Sequence, residues 1–144
     1  MKHIAIMNPK WQMLKKVENG EKTIESRWYS RRFAPWGNIE IGDTIYFKGN
    51  YKVISLKAEV SEVKQIDNLT PEIVKQILNE YHQQLGIDSV QIEHYYQMFK
   101  EKKYCILIYI ANPKHIKPFI LNRAGLGYMT SWICFRSLKD IKLN

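Results

Sequence analysis

The sequence predicts a mixed α/β (α+β) domain on three observations. Residues 54 to 63 alternate in the manner of a half-buried strand, with Ile54, Leu56, Ala58 and Val60 on one face and Lys57 and Glu59 on the other. Ile73, Val74, Ile77, Leu78 and Tyr81 recur instead at helical spacing. A second apolar run, Cys105 to Ile110, follows the helical stretch, so strands stand on both sides of helices along the chain. With 144 residues and 45% hydrophobic side chains the chain suffices for one domain spanning 1–144, and no linker or repeat divides it.

The elements follow in order. Asn8-Pro9 predicts a helix N-cap with proline at the first helical position; Trp11, Leu14 and Val17 supply the apolar stripe, and Gly20 the left-handed stop. Thr23 to Tyr29, β-branched and aromatic without glycine or proline, predicts a strand. Glu25, Arg27 and Tyr29 share one of its faces, and Ile24, Ser26 and Trp28 take the other, expected to be the core side. Lys22 is out of register with Glu25 and reaches the same side only if the preceding turn re-aims it. Ile41-Gly42-Asp43 is a turn leading into a strand over Thr44 to Lys48. Thr70-Pro71 caps the helix that ends near Gly86, and a second helical stretch from about Val90 to Lys100 carries His94, Tyr95, Tyr96 and Phe99. Lys100 to Lys103 is a solvated turn, and Trp132 to Phe135 a last short strand.

Composition narrows the classes of function. No apolar run approaches the ~20 residues needed to span a bilayer, and there is no secretory leader pattern, so a cytoplasmic protein without membrane partners is expected. Cys105 and Cys134 lie in apolar strand-like runs and are expected to be buried free thiols. His3, His82, His94 and His115 have no zinc-like spacing, so no metal and no cofactor are expected. The net charge of +8 favours a polyanionic partner, although 17 of the 22 basic residues are lysines, a bias that AT-rich coding also produces. Placement says more than the total. Arg27, Arg31 and Arg32 are interleaved with Trp28, Tyr29, Phe33 and Trp36, which pairs phosphate donors with stacking faces. From about residue 111 the tail is basic, since Lys114, Lys117, Arg123, Arg136, Lys139 and Lys142 face only Asp140. Within it, the segment from Arg123 to Trp132 is a glycine-containing loop rich in hydroxyls that could bring backbone N–H groups close to a ligand.

The octapeptide Gly20-Glu21-Lys22-Thr23-Ile24-Glu25-Ser26-Arg27 resembles the GxKxxExR signature of the ASCH domains, a branch of the PUA-like superfamily. Gly42-Asp43, Ile45 and Phe47 resemble the family's "GD.I.F" strand, and the likeness extends over roughly residues 1 to 112. The resemblance implies a bent, mainly antiparallel β-barrel with flanking helices. It also implies an RNA or nucleoside-like ligand in a cleft lined by the motif; with the interleaved arginines and the glycine-containing loop, the expected binding residues are Gly20, Arg27, Tyr29, Arg31, Arg32, Tyr128, Ser131 and Trp132. A glycine-containing segment similar to that around Tyr128 and Trp132 closes the cleft in many such chains.

A small bacterial branch hydrolyses the acetyl amide of N4-acetylcytidine through a lysine, a threonine three residues later and a strand glutamate. Carried onto this chain, those positions are Lys22, Glu25 and Glu59, and Glu25 stands where that branch has threonine. The alternative expectation is therefore a small amidohydrolase or ribonuclease with Lys22, Glu25 and Glu59 as its catalytic groups. If both carboxylates met Lys22, at roughly 4 kcal/mol for a pair ~4 Å apart, they would keep it protonated. A monomer is expected.

Overall fold

The polypeptide opens with a strand that its composition did not single out. Lys2–Ile6 (β1) lies next to Thr44–Lys48 (β3) in parallel register and next to Trp132–Phe135 (β6) in antiparallel register. The computed structural model describes residues 1–9, 12–49, 52–126 and 130–143. The remaining elements are helix Met13–Glu18 (α1), strand Ile24–Tyr29 (β2), strand Val53–Ile66 (β4), helices Pro71–Tyr81 (α2) and Ile92–Phe99 (α3), and strand Tyr104–Ile120 (β5). The described strands form one sheet in the order β2-β5-β4-β3-β1-β6, antiparallel except at β1/β3. The expected mainly antiparallel, bent sheet with flanking helices is present.

The long β4/β5 ladder bends the sheet. Its register shifts between Ile54 and Leu56, between Lys57 and Glu59, and between Val60 and Glu62. Each such irregularity adds local twist and re-aims side chains. Ile54 packs with Tyr46, Phe119 and Phe135 on the outer face, whereas Leu56, one shift along, packs inside the curl. The inner cluster also holds Ala5, Ile45, Phe47, Ala58, Val60, Ile106, Ile108 and Trp132. A further cluster fills the space between α2, α3 and the outer face of β2 and β5 through Ile24, Trp28, Val74, Leu78, Tyr95 and Leu107. Each large apolar side chain so buried contributes on the order of 1.5–3 kcal/mol.

Several elements match their sequence signals. Thr70 Oγ1 accepts the Ile73 N–H at 3.2 Å and Pro71 opens α2. Gly20, at φ 84°, stops the first helix as expected. Three expectations need correction. Helix α1 starts at Met13 and not at Pro9, because Gln12 sits in the left-handed region (φ 52°) and a helix running on from Pro9 would require it to be right-handed. Trp11 lies outside the described residues. Strand β5 runs ten residues past Ile110, because the first half of β4 is there to pair with it. Finally, β2 has core on both faces. Ile24 and Trp28 pack under the helices, while Tyr29 packs against the inner cluster.

Candidate functional site

The glycine turn re-aims Lys22 as the motif requires. The backbone N–H groups of Thr23 and Ile24 both donate to Gln84 O, at 2.8 and 3.0 Å, and thereby fasten the start of β2 to the loop after α2. Lys22 then passes beneath that loop, is 4% exposed, and donates its Nζ to Leu85 O at 2.7 Å. Gly86 makes the passage feasible. It adopts φ +76°, and a Cβ there would lie 3.3 Å from Lys22 Cβ.

Glu25 is 6% exposed. Its Oε1 accepts the Ser26 N–H at 3.0 Å and stands 3.8 Å from Arg27 Nε, while Oε2 and Arg27 Nε have no hydrogen-bond partner among the described residues. The Arg27 guanidinium donates Nη1 to Ser131 O at 3.2 Å and Nη2 to Ile6 O at 3.3 Å, and it stacks 5.0 Å from the centre of the Trp132 ring. Trp132 in turn donates its Nε1–H to His3 Nδ1 at 3.1 Å, and His3 Nε2 meets Asp43 Oδ2 at 2.8 Å.

A cavity of about 700 Å³ opens over these groups. Lys22, Glu25, Arg27, Tyr29 and Ser131 line it together with Met7, Met13 and the α3 side chains His94, Tyr95, Met98 and Phe99. Trp28, also on the wall, stacks on Phe99 with centroids 4.5 Å apart and planes 5° from parallel. The Tyr29 hydroxyl donates to Ala34 O at 2.8 Å, which ties β2 to the following loop. The volume suits a small organic ligand. Broad aromatic faces beside one carboxylate and two cations suit a planar, polar-edged one.

Burial sets the protonation states. It lowers the Lys22 ammonium below the ordinary lysine value, assisted by the Arg27 and Lys16 charges and opposed by Glu25. Two carboxylates were expected to raise Lys22; among the described residues Glu25 alone does so, and desolvation outweighs it. Burial raises the Tyr29 phenol, with Arg27 opposing, and raises that of Tyr95 to about 12.

Of the sequence-predicted residues, Lys22, Glu25, Arg27, Tyr29 and Ser131 converge on the cavity, and Trp132 backs it through Arg27. Gly20 makes the turn behind it. Arg31 and Arg32 are exposed outside the lining, and Arg32 lies over Trp36 and Tyr104 at 5.7 and 5.5 Å. Tyr128 lies outside the described residues. Glu59 does not join the cavity. It is exposed, accepts from Asn112 Nδ2 at 3.2 Å, and stands on the face of β4 opposite to buried Ala58 and Val60. Among the described residues, no group of three or more His, Cys, Asp or Glu stands close enough to hold a metal ion, and no helix is long and apolar enough to cross a membrane. The α3 wall was readable only as an aromatic helical stretch, and the His3–Asp43 pair left no signal, since forty residues separate its members.

Solved structures share this architecture. The ASCH protein from Zymomonas mobilis superposes with a TM-score of 0.67 at 18% identity, over 94% of this chain and 87% of that one. The fold is that of the ASCH and PUA-like domains. The N-terminal domain of Staphylothermus marinus McrB superposes with a TM-score of 0.58 at 14% identity, over 96% of this chain and 90% of that one. No family model and no curated protein matches the sequence. In this ASCH-like chain the GxKxxExR residues therefore occupy a PUA-like half-barrel, with Lys22, Glu25 and Arg27 lining one cavity.

Proposed function

We propose that this ASCH-like chain binds RNA or a nucleoside-like ligand, with the base in the cavity between β2 and α3 and the flanking phosphates on Arg31 and Arg32. The observation that carries this is the joint lining of one cavity by Lys22, Glu25 and Arg27 and by the aromatic rings of Tyr29, Tyr95 and Phe99. A base offers a flat face to the rings and adjacent donors and acceptors on its edge. The Glu25 carboxylate disfavours a phosphate at this spot, while Arg27 Nε and Glu25 Oε2 supply an unpartnered donor and acceptor once the side chains adjust. Outside the cavity, Phe33 is 57% exposed and meets Tyr29 edge-on at 5.8 Å, so a second base has a stacking face beside the first. A thermal-shift panel of nucleosides, nucleotides and short RNAs tests this, because a ligand at 100 times its Kd stabilises the fold by about 2.7 kcal/mol. If no member of the panel raises the melting temperature, the proposal fails.

One observation favours a second reading, an amidohydrolase or ribonuclease. A lysine pushed toward its neutral amine beside a carboxylate can accept a proton or attack a carbonyl. On that reading Lys22 and Glu25 carry the chemistry and Glu59 does not. Turnover of N4-acetylcytidine or RNA that disappears in Lys22→Met but persists in Glu59→Gln is its signature.

A further inference from the structure

Below the cavity lies a second set of polar groups that the proposed function does not use. His3 on β1 is fully buried inside the curl. Its Nε2 lies 2.8 Å from Asp43 Oδ2, and its Nδ1 receives the indole N–H of Trp132 at 3.1 Å. Indole nitrogen is only a donor, so Nδ1 must be the unprotonated acceptor, and the proton of the neutral ring sits on Nε2 and points to Asp43. Trp132 is thereby held from one edge while its ring supports the Arg27 guanidinium at 5.0 Å.

We propose that His3 is a positioning residue for the cavity: neutral, it fixes Trp132 and with it the face that supports Arg27, and on gaining a proton it frees Trp132, removes that support and weakens ligand binding. The proposal rests on the ligand-binding function above. A proton on Nδ1 would turn that atom into a donor facing another donor, so the Trp132 hydrogen bond is lost and the ring is free to tilt. Arg27 then loses the face on which it stacks, although its bonds to Ser131 O and Ile6 O tether it. Three charged or titratable groups among the described residues face His3. From the turn before β3 comes the Asp43 carboxylate; from the N-terminus the Met1 ammonium, 3.4 Å from Asp43 Oδ1; from β6 the Cys134 thiol, 3.4 Å from Nδ1. Burial opposes the protonated ring, Asp43 favours it and the Met1 charge opposes it, and the balance keeps His3 below the ordinary histidine range. The change in binding is therefore expected below about pH 6.5.

The experiment follows the wild-type protein by NMR from about pH 7.5 to about pH 5, reading the His3 ring nitrogens, the Trp132 indole N–H and the Arg27 Nε–H. In parallel, a fluorescent RNA hexamer containing all four bases is titrated into wild type and His3→Asn. The asparagine amide oxygen can still accept from Trp132 but does not titrate. The expected result is an unprotonated Nδ1 at neutral pH, a common midpoint for the three signals, and RNA affinity that falls about tenfold on acidification in wild type and stays flat in His3→Asn. Equal pH profiles in the two proteins, or a Trp132 signal that ignores the His3 titration, overturn the proposal. RNA that does not bind at neutral pH while the three signals titrate together removes the ligand-binding function and upholds the coupling of His3 to Arg27. The NMR arm needs no variant, so a His3→Asn protein that fails to fold does not remove the test.

Discussion

The guanidinium of Arg27 on β2 stacks on the indole of Trp132 on β6, and these two strands are the opposite edges of the sheet. Among the described residues no backbone ladder joins β2 to β6. The Arg27 side chain crosses the seam and also bonds Ser131 O and Ile6 O beside the far edge. An arginine supplies this because its planar fork donates in two directions while its face stacks.

Replacing Arg27 by lysine should therefore loosen the seam as well as the site. The ammonium can keep one carbonyl bond but neither the fork nor the stack. Thermal unfolding should show a loss of about 1–3 kcal/mol, with faster amide exchange at the start of β6. An unchanged melting temperature and unchanged exchange would show that the strands hold the seam without it.

Lys22 should be a residue that costs stability. Its pKa is lowered by burial, so the neutral amine is more favoured in the folded state than in the unfolded chain. Its favourable contribution is complete only above the ordinary lysine value of about 10.4 and is lost as pH falls through the lowered one. Lys22→Met should match or exceed wild-type stability at neutral pH, by up to about 2 kcal/mol, and the advantage should shrink at alkaline pH. Denaturant titrations at the two pH values decide the matter, and a variant less stable at neutral than at alkaline pH relative to wild type contradicts it.

Acid should destabilise the fold through His3 and Asp43. Burial lowers His3 despite the help of Asp43. Burial alone would raise Asp43, but the hydrogen bonds from His3 and the Glu40 N–H, with the charges of His3 and the N-terminus, bring it below the usual carboxylate value. Both contributions are present above about pH 6.5 and are lost in turn as pH falls through the lowered His3 value and then that of Asp43. Asp43→Ala should cost about 1–3 kcal/mol near pH 7, no less while His3 gains its proton, and progressively less once the pH falls through the lowered Asp43 value. A constant cost across the range would be evidence against the pairing.

If Arg31 and Arg32 meet phosphate, the affinity for a short single-stranded RNA should fall with salt at a log–log slope of about −0.7 for each phosphate neutralised. The double substitution Arg31→Ala with Arg32→Ala should flatten the slope by one to two such units. A slope that does not change assigns the contact elsewhere.

Glu59→Gln should leave ligand affinity, and any turnover, within about twofold of wild type, since its carboxylate lies on the outer face with Asn112. A large loss in this variant would restore Glu59 to the site.

The local chemistry of the chain was written plainly enough to place most elements. Thr70-Pro71 opened α2, Gly20 closed α1, and the runs Thr44–Lys48 and Trp132–Phe135 are strands within the predicted limits. The octapeptide from Gly20 to Arg27 likewise pointed to the cavity. All of these signals act within a few residues, through periodicity, turn geometry and capping. Only the folded chain decided that Gln84 and Leu85 would cover Lys22 and strip it of water, and that bulges in the β4/β5 ladder would re-aim neighbouring side chains while Glu59 stayed outside. It alone brought His3, Asp43 and Trp132 into one hydrogen-bonded line. Desolvation and sheet closure depend on which distant surfaces meet, and that is a property of packing that no short stretch of sequence carries.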